Sequence, residues 1–142
     1  MSKSKRFAGL KDLAGEEERK AAQRLAEALK ALNEKKQELA QLKRYLDEYQ
    51  ADSGAAPTDA ARLENLRLFM SRLSEAIDGQ EGDLAHAEAR YQDEAERWKS
   101  LKAQSQALDQ LLDKYKQEER YEDVRQEEKE LDEQVTRPKD KP

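Results

Sequence analysis

Every seventh residue from Leu63 runs Leu63, Met70, Ile77, Leu84, Tyr91, Trp98, Ser105, Leu112, and only the serine breaks the apolar series. An earlier stretch repeats the pattern with Leu25, Leu32, Leu39 and Leu46. A seven-residue apolar repeat is the seam of a supercoiled helix, because that spacing keeps one stripe of side chains turned toward a partner helix. Between the two runs lies Asp52-Ser53-Gly54-Ala55-Ala56-Pro57-Thr58-Asp59. Two heptad runs with one break predict an all-α chain: a two-helix antiparallel coiled-coil hairpin, one domain over residues 1–142. Such a hairpin has no interior for a catalytic cleft, so its function must lie on its surface and its ends.

Composition supports helices rather than disorder. The charged fraction is 42% and the mean hydropathy −1.21, values that a disordered chain also reaches. Sustained heptads account for them instead as long helices with solvated charged faces. One tryptophan, five tyrosines and two phenylalanines are more than a solvating linker needs. The absence of cysteine excludes disulfide and thiolate chemistry. The basic start, Met1-Ser2-Lys3-Ser4-Lys5-Arg6, leads into no apolar run, so neither a signal peptide nor a transmembrane helix is expected and the cytoplasm is the expected compartment. A net charge of −5 argues against non-specific nucleic-acid binding.

Helix one is expected over about 7–50, from near Phe7 to Gln50, with Gly9 and Gly15 each weakening it by about 1 kcal/mol relative to alanine. The turn falls at about 53–58, where Gly54 tolerates positive φ and Pro57 interrupts helices. Thr58 or Asp59 suits the N-cap of helix two, expected over about 59–135, with Pro138 in a short tail after it. At a rise of roughly 1.5 Å per residue the helices would be about 65 Å and about 115 Å long, so the second must overhang the first. Heptad phase holds to Leu112 and Tyr115. Glu119, Glu122 and Gln126 then fall at core positions, so the overhang is predicted from near Leu111. Its own apolar stripe is Tyr121, Val124, Leu131 and Val135.

Volume matching suggests a register. Pairing residues whose numbers add to 112 centres the turn on Ala56 and sets Ala14 against Trp98, Ala21 against Tyr91 and Ala28 against Leu84. It also sets Tyr49 against Leu63, Leu42 against Met70 and Leu39 against Leu73. Gly79 and Gly82 fall inside the second helix and predict either a soft or bent segment or a merely tolerated defect, costing together about 2 kcal/mol relative to alanine.

No enzymatic constellation is present. His86 is the one histidine, at an exposed heptad position, and there is no phosphate loop, HExxH or nucleophile–base pair. No cofactor or metal is expected. The departures from heptad rule are more informative. Positions flanking a seam usually carry charge. Here Tyr45, Phe69 and Ala76 occupy them beside the turn, with Leu68 outside the seam. Two rings emerging on one face of a charged rod suggest a protein-binding patch; the alternative is that they thicken a thin seam. A second candidate is the end at Gln117–Gln134, with nine acidic and three basic residues; by themselves these residues read first as a solvated helix end.

The elements Tyr45-Leu-Asp-Glu-Tyr49 and Phe69-Met-Ser-Arg-Leu73-Ser-Glu-Ala76-Ile77, followed by Arg97-Trp98-Lys99 and an end closing on Leu131-Asp132-Glu133, resemble the FliJ family of bacterial flagellar export proteins over nearly the whole chain. The resemblance implies a hairpin similar to the central stalk, the γ subunit, of rotary ATPases. It implies two partners, the export ATPase FliI and the cytoplasmic domain of the export-gate protein FlhA, with export chaperones as further clients. Gate contacts of the family map onto Leu42, Tyr45, Tyr49, Phe69, Leu73 and Ala76. Glu38 and Gln80 stand where the family carries glutamine and histidine, and map more weakly. The overhang, with Tyr121, Val124, Arg125 and Leu131, would enter the ATPase ring. The implied protein is a non-enzymatic coupling component, monomeric when free, held peripherally at the cytoplasmic face of the inner membrane. The equivalent stalk of a virulence injectisome is a near alternative. A self-associating scaffold is the alternative of a different class, distinguished by sedimentation equilibrium.

Overall fold

The computed structural model describes residues 2–52 and 59–136. Two helices account for nearly all of them: α1, Lys3–Asp52, and α2, Ala60–Thr136. The fold is all-α, a helical hairpin, as the repeat demands. The expected turn at 53–58, with Gly54, Pro57 and Thr58, and the tail with Pro138 lie outside the described residues.

Local chemistry sets the helix starts. Asp59 caps α2: its Oδ1 accepts the Ala61 amide at 3.1 Å, and its carbonyl accepts the Leu63 amide at 3.1 Å. α1 begins at Lys3, earlier than the expected Phe7. Ser2 provides the reason, since its Oγ accepts the Lys5 amide at 3.4 Å and its carbonyl accepts the Arg6 amide at 3.3 Å. The helices run through Gly9, Gly15, Gly79 and Gly82, none of which has positive φ. A Cβ at Gly79 or Gly82 would meet nothing within 4 Å, so neither glycine is there to admit a neighbour.

The chain divides into two compact units, Lys20–Trp98 and Met1–Arg19 with Lys99–Pro142. In the first, Ala21, Ala28, Leu32, Leu39, Leu73 and Ile77 are buried. Leu39, Leu73 and Ile77 form one cluster, against which Leu42, Leu46 and Leu84 pack. All lie on the heptad stripe read from the sequence.

The register differs from the expected one. In the Lys20–Trp98 unit, Tyr49 meets Phe69 and Arg24 meets Glu94, pairs adding to 118, while Lys43 meets Glu81, adding to 124. The other unit agrees: Lys11–Asp109, Phe7–Tyr115 and Ser4–Glu119 add to 120, 122 and 123. The layers are therefore offset by one heptad, near 119 rather than 112. Large still meets small, because Ala21 now shares a layer with Trp98 and Ala28 with Tyr91, which fits alanines that are 0% and 1% exposed. Volume matching could not separate the two registers because alanine recurs at consecutive core positions.

The start of the overhang is corrected with the register. Leu112 is buried at 4% exposure, Tyr115 stacks on Phe7 at 4.9 Å, and Glu119 hydrogen-bonds Ser4. The seam thus continues past Leu111 and ends at Glu119. From Tyr121 to Val135 every residue is exposed.

Candidate functional site

The longer register has its main effect where α1 ends. Asp52 is level with about residue 67, so the first turns of α2 have no α1 beside them. Leu63, which the expected register placed against Tyr49, is 38% exposed, and Leu68 is 51% exposed. Tyr49 is released from Leu63 and lies against Phe69 instead, ring centroids 4.6 Å apart and planes at 45°. That tilted contact is a favourable aromatic geometry, worth about 0.5–1.5 kcal/mol beyond area burial. Phe69 therefore pairs with Tyr49 rather than with Tyr45, its expected level neighbour.

Tyr45, Tyr49 and Phe69 are each more than two-fifths exposed. Together with Glu48 and Leu73 they line an open groove of about 410 Å³. Leu73, buried in the Leu39–Ile77 cluster, is its floor, so the groove is tied directly to the core. Gln41 Nε2 lies 3.2 Å from the Tyr45 hydroxyl and donates to it, one turn away on the same helix. Leu42 is half-buried beneath, and Ala76 is exposed farther along α2. Of the six stronger candidates, four line the groove. Glu48 is the lining residue that sequence reasoning missed; as one charge among many on α1 it carried no distinguishing signal.

The two weaker candidates stand apart from the groove lining. Glu38 is exposed and pairs with Lys35 at 3.3 Å on its own helix. Gln80 is half-buried in the seam, and its Oε1 has no hydrogen-bond partner. Glu94, another polar core residue, lies 3.6 Å from Arg24 Nε, close enough for an ion pair and too far for a good hydrogen bond.

In the other unit, Tyr121, Val124 and Leu131 are 69%, 52% and 60% exposed, and Arg125 is exposed too. The unpredicted residue is Glu119. Its Oε1 accepts the Ser4 amide at 3.2 Å and its Oε2 accepts the Ser4 hydroxyl at 2.7 Å. The first amides of any helix lack intrahelical partners, and a carboxylate there also meets the positive end of the helix dipole. These bonds hold the Glu119 carboxyl below the usual carboxylate range. Lys3 Nζ sits 5.6 Å over the Tyr115 ring, and Lys11 Nζ is 2.6 Å from Asp109, whose hydrogen bond raises the lysine above its ordinary value. In the sequence Glu119 marks only the place where heptad phase fails; its position opposite the start of α1 is the signal that could have found it.

Among the described residues there is no cluster of three or more potential metal ligands, and no helix is long and apolar enough to cross a membrane. His86 is exposed. Repeat, helices and groove together define a class: a coiled-coil hairpin with an open, partly aromatic groove on its surface. A family model described as "Flagellar FliJ protein" matches residues 3–138, and the chain belongs to that family. It is thereby a component of the flagellar export apparatus, in a family that is non-catalytic. No curated protein and no solved structure matches the chain.

Proposed function

We propose that this chain couples the export ATPase FliI to the export gate by binding both. The groove of Tyr45, Tyr49, Phe69 and Leu73, with Leu42 and Ala76 beside it, docks on the cytoplasmic domain of FlhA. The exposed end of α2, with Tyr121, Val124, Arg125 and Leu131, enters the FliI ring. Export chaperones are further clients, and the protein works at the cytoplasmic face of the inner membrane as a monomer. The observation that carries this reading is the exposed Tyr49–Phe69 ring pair over a buried leucine floor, in a member of the flagellar family. Exposed aromatics around a desolvated centre are the usual composition of binding hot spots.

The test is a Tyr45→Ala/Phe69→Ala double variant. Neither ring belongs to the buried cluster, so circular dichroism should show unchanged helicity. Binding to the FlhA cytoplasmic domain should weaken at least about 30-fold, the effect of about 2 kcal/mol lost from a hot spot. Undiminished binding would remove the gate from this groove.

A further inference from the structure

Glu119 bonds Ser4 at the first turn of α1, and α2 continues from there to Thr136. Every residue from Tyr121 to Val135 is exposed. The apolar ones are not scattered over this stretch. Tyr121, Val124, Leu131 and Val135 are each more than half exposed. Positions 121, 124, 128, 131 and 135 advance by alternating steps of three and four, the spacing that keeps side chains on one face of a helix. Four of the five are apolar, and the fifth, at the centre of the stripe, is Glu128.

An apolar stripe on a charged helix marks a contact surface, and Glu128 says what the other side carries. Covered by apolar groups alone, its carboxylate would lose hydration and gain no counter-charge; a cation at the same depth offsets that cost. The surroundings agree in sign, since Gln117–Gln134 holds nine acidic and three basic residues. An open recess of about 530 Å³ beside Tyr121 is lined by Lys114, Gln117, Glu118 and Glu122. A second copy of this chain fits poorly. The stripe is nearly symmetric about residue 128, because 121 and 135 lie equally far from it and 124 and 131 almost so. Parallel or antiparallel, a pairing that covers all four apolar side chains sets Glu128 against Glu128, in a region already negative on both copies.

We propose that the exposed end of α2 takes a partner surface on which a lysine or arginine, set among apolar side chains, pairs with Glu128. This rests on the reading of that end as the contact with the FliI ring and adds its chemistry: the ring supplies the basic group, and Glu128 selects it. Inside a dry contact one charge pair discriminates strongly. An apolar surface without the cation leaves Glu128 unpaired, and an acidic one is repelled. The carboxylates away from the stripe act at longer range, speeding encounter in a manner that salt weakens.

Binding of the full chain to the purified FliI ring tests the proposal with two equal charge reversals. Glu128→Lys reverses the charge within the stripe. Glu130→Lys makes the same change in net charge about 160° around the helix, on the face away from it. Both positions are exposed, so circular dichroism should show native helicity for each. Glu128→Lys is expected to weaken binding at least about 30-fold, the effect of losing a desolvated charge pair. Glu130→Lys is expected to weaken it by less than about threefold, the effect of a screened surface charge. Glu128→Gln, which keeps the size of the side chain, should act in the same direction as Glu128→Lys. Equal losses from the two reversals would mean that this end works through net charge alone, and unchanged binding by Glu128→Lys would mean that no cation meets it. Either result overturns the proposal, while loss of binding by Tyr121→Asp/Leu131→Asp in the same assay would leave the ring contact standing. Undiminished binding by that double variant overturns the ring contact and the proposal with it. Sedimentation equilibrium of the native chain should give a monomer; a dimer that Tyr121→Asp/Leu131→Asp dissolves would assign the stripe to a second copy and overturn the proposal as well.

Discussion

Glutamate at a heptad core position normally weakens a seam, because an apolar layer gives its charge no partner. Glu119 is different because its layer is the last one, opposite the first turn of α1, where amides need acceptors. Removing its charge should therefore loosen one helix end while sparing the rest. The sign follows from the direction of its shift. A carboxyl held below its ordinary value of 4.5 stabilises the folded form above that value and loses the contribution as pH falls through the lowered one. Ser4 and Lys5 favour its ionised form, while Glu118, Glu122 and Asp123 share the recess around it with Lys3 and Tyr115. Acidification through that lowered value should then reduce the protection factor of the Ser4 amide, its observed exchange being compared with the intrinsic rate at the same pH. Glu119→Gln should show faster exchange at neutral pH, with the Leu39 and Leu73 amides unaffected. Equal protection of Ser4 in the two proteins would mean that Ser2 alone holds the turn.

At the scale of the elements, the heptads were legible and the offset was not. The stripe through Leu32, Leu39, Leu73, Ile77 and Leu112 is the buried one, because a 3.5-residue period admits a single face. The choice of layer partner rested on volume and on a turn centred at Ala56, and Ala21 accepts Tyr91 or Trp98, as Ala28 accepts Leu84 or Tyr91, without a conflict of volume. What distinguishes them is a set of long-range contacts that volume does not register: Arg24 with Glu94, Lys11 with Asp109, Phe7 with Tyr115, Ser4 with Glu119. The groove was half legible for the same reason. Tyr45 and Phe69 stood out at positions that should be charged, whereas the exposure of Tyr49 depends on the offset. The two glycines of α2 were visible as helix breakers, yet the helix passes through them with open space at each. Gly79→Ala and Gly82→Ala should each stabilise the protein by about 1 kcal/mol, through helix propensity and the lower entropy of the unfolded chain. Urea titration measures this, and a destabilised double variant would show that the segment needs glycine for a conformation other than this helix.

For the molecule as a whole, the asymmetry between a 50-residue and a 77-residue helix leaves α2 with a long stretch beyond Glu119. Every residue there from Tyr121 to Val135 is exposed, so substitutions should be nearly silent for stability, within about 0.5 kcal/mol. If the proposed binding to FliI is right, Tyr121→Asp/Leu131→Asp should keep its helicity while losing affinity for the FliI ring in a pull-down; undiminished binding would exclude this stripe as the proposed contact. The layer shared by Ala21 and Trp98 has a practical consequence as well. The chain has one tryptophan, and that indole lies at a seam position against a side chain with no exposed surface. Its ultraviolet emission is therefore an intrinsic optical gauge of how the two helices mesh, readable without a label during folding, cross-linking or partner addition.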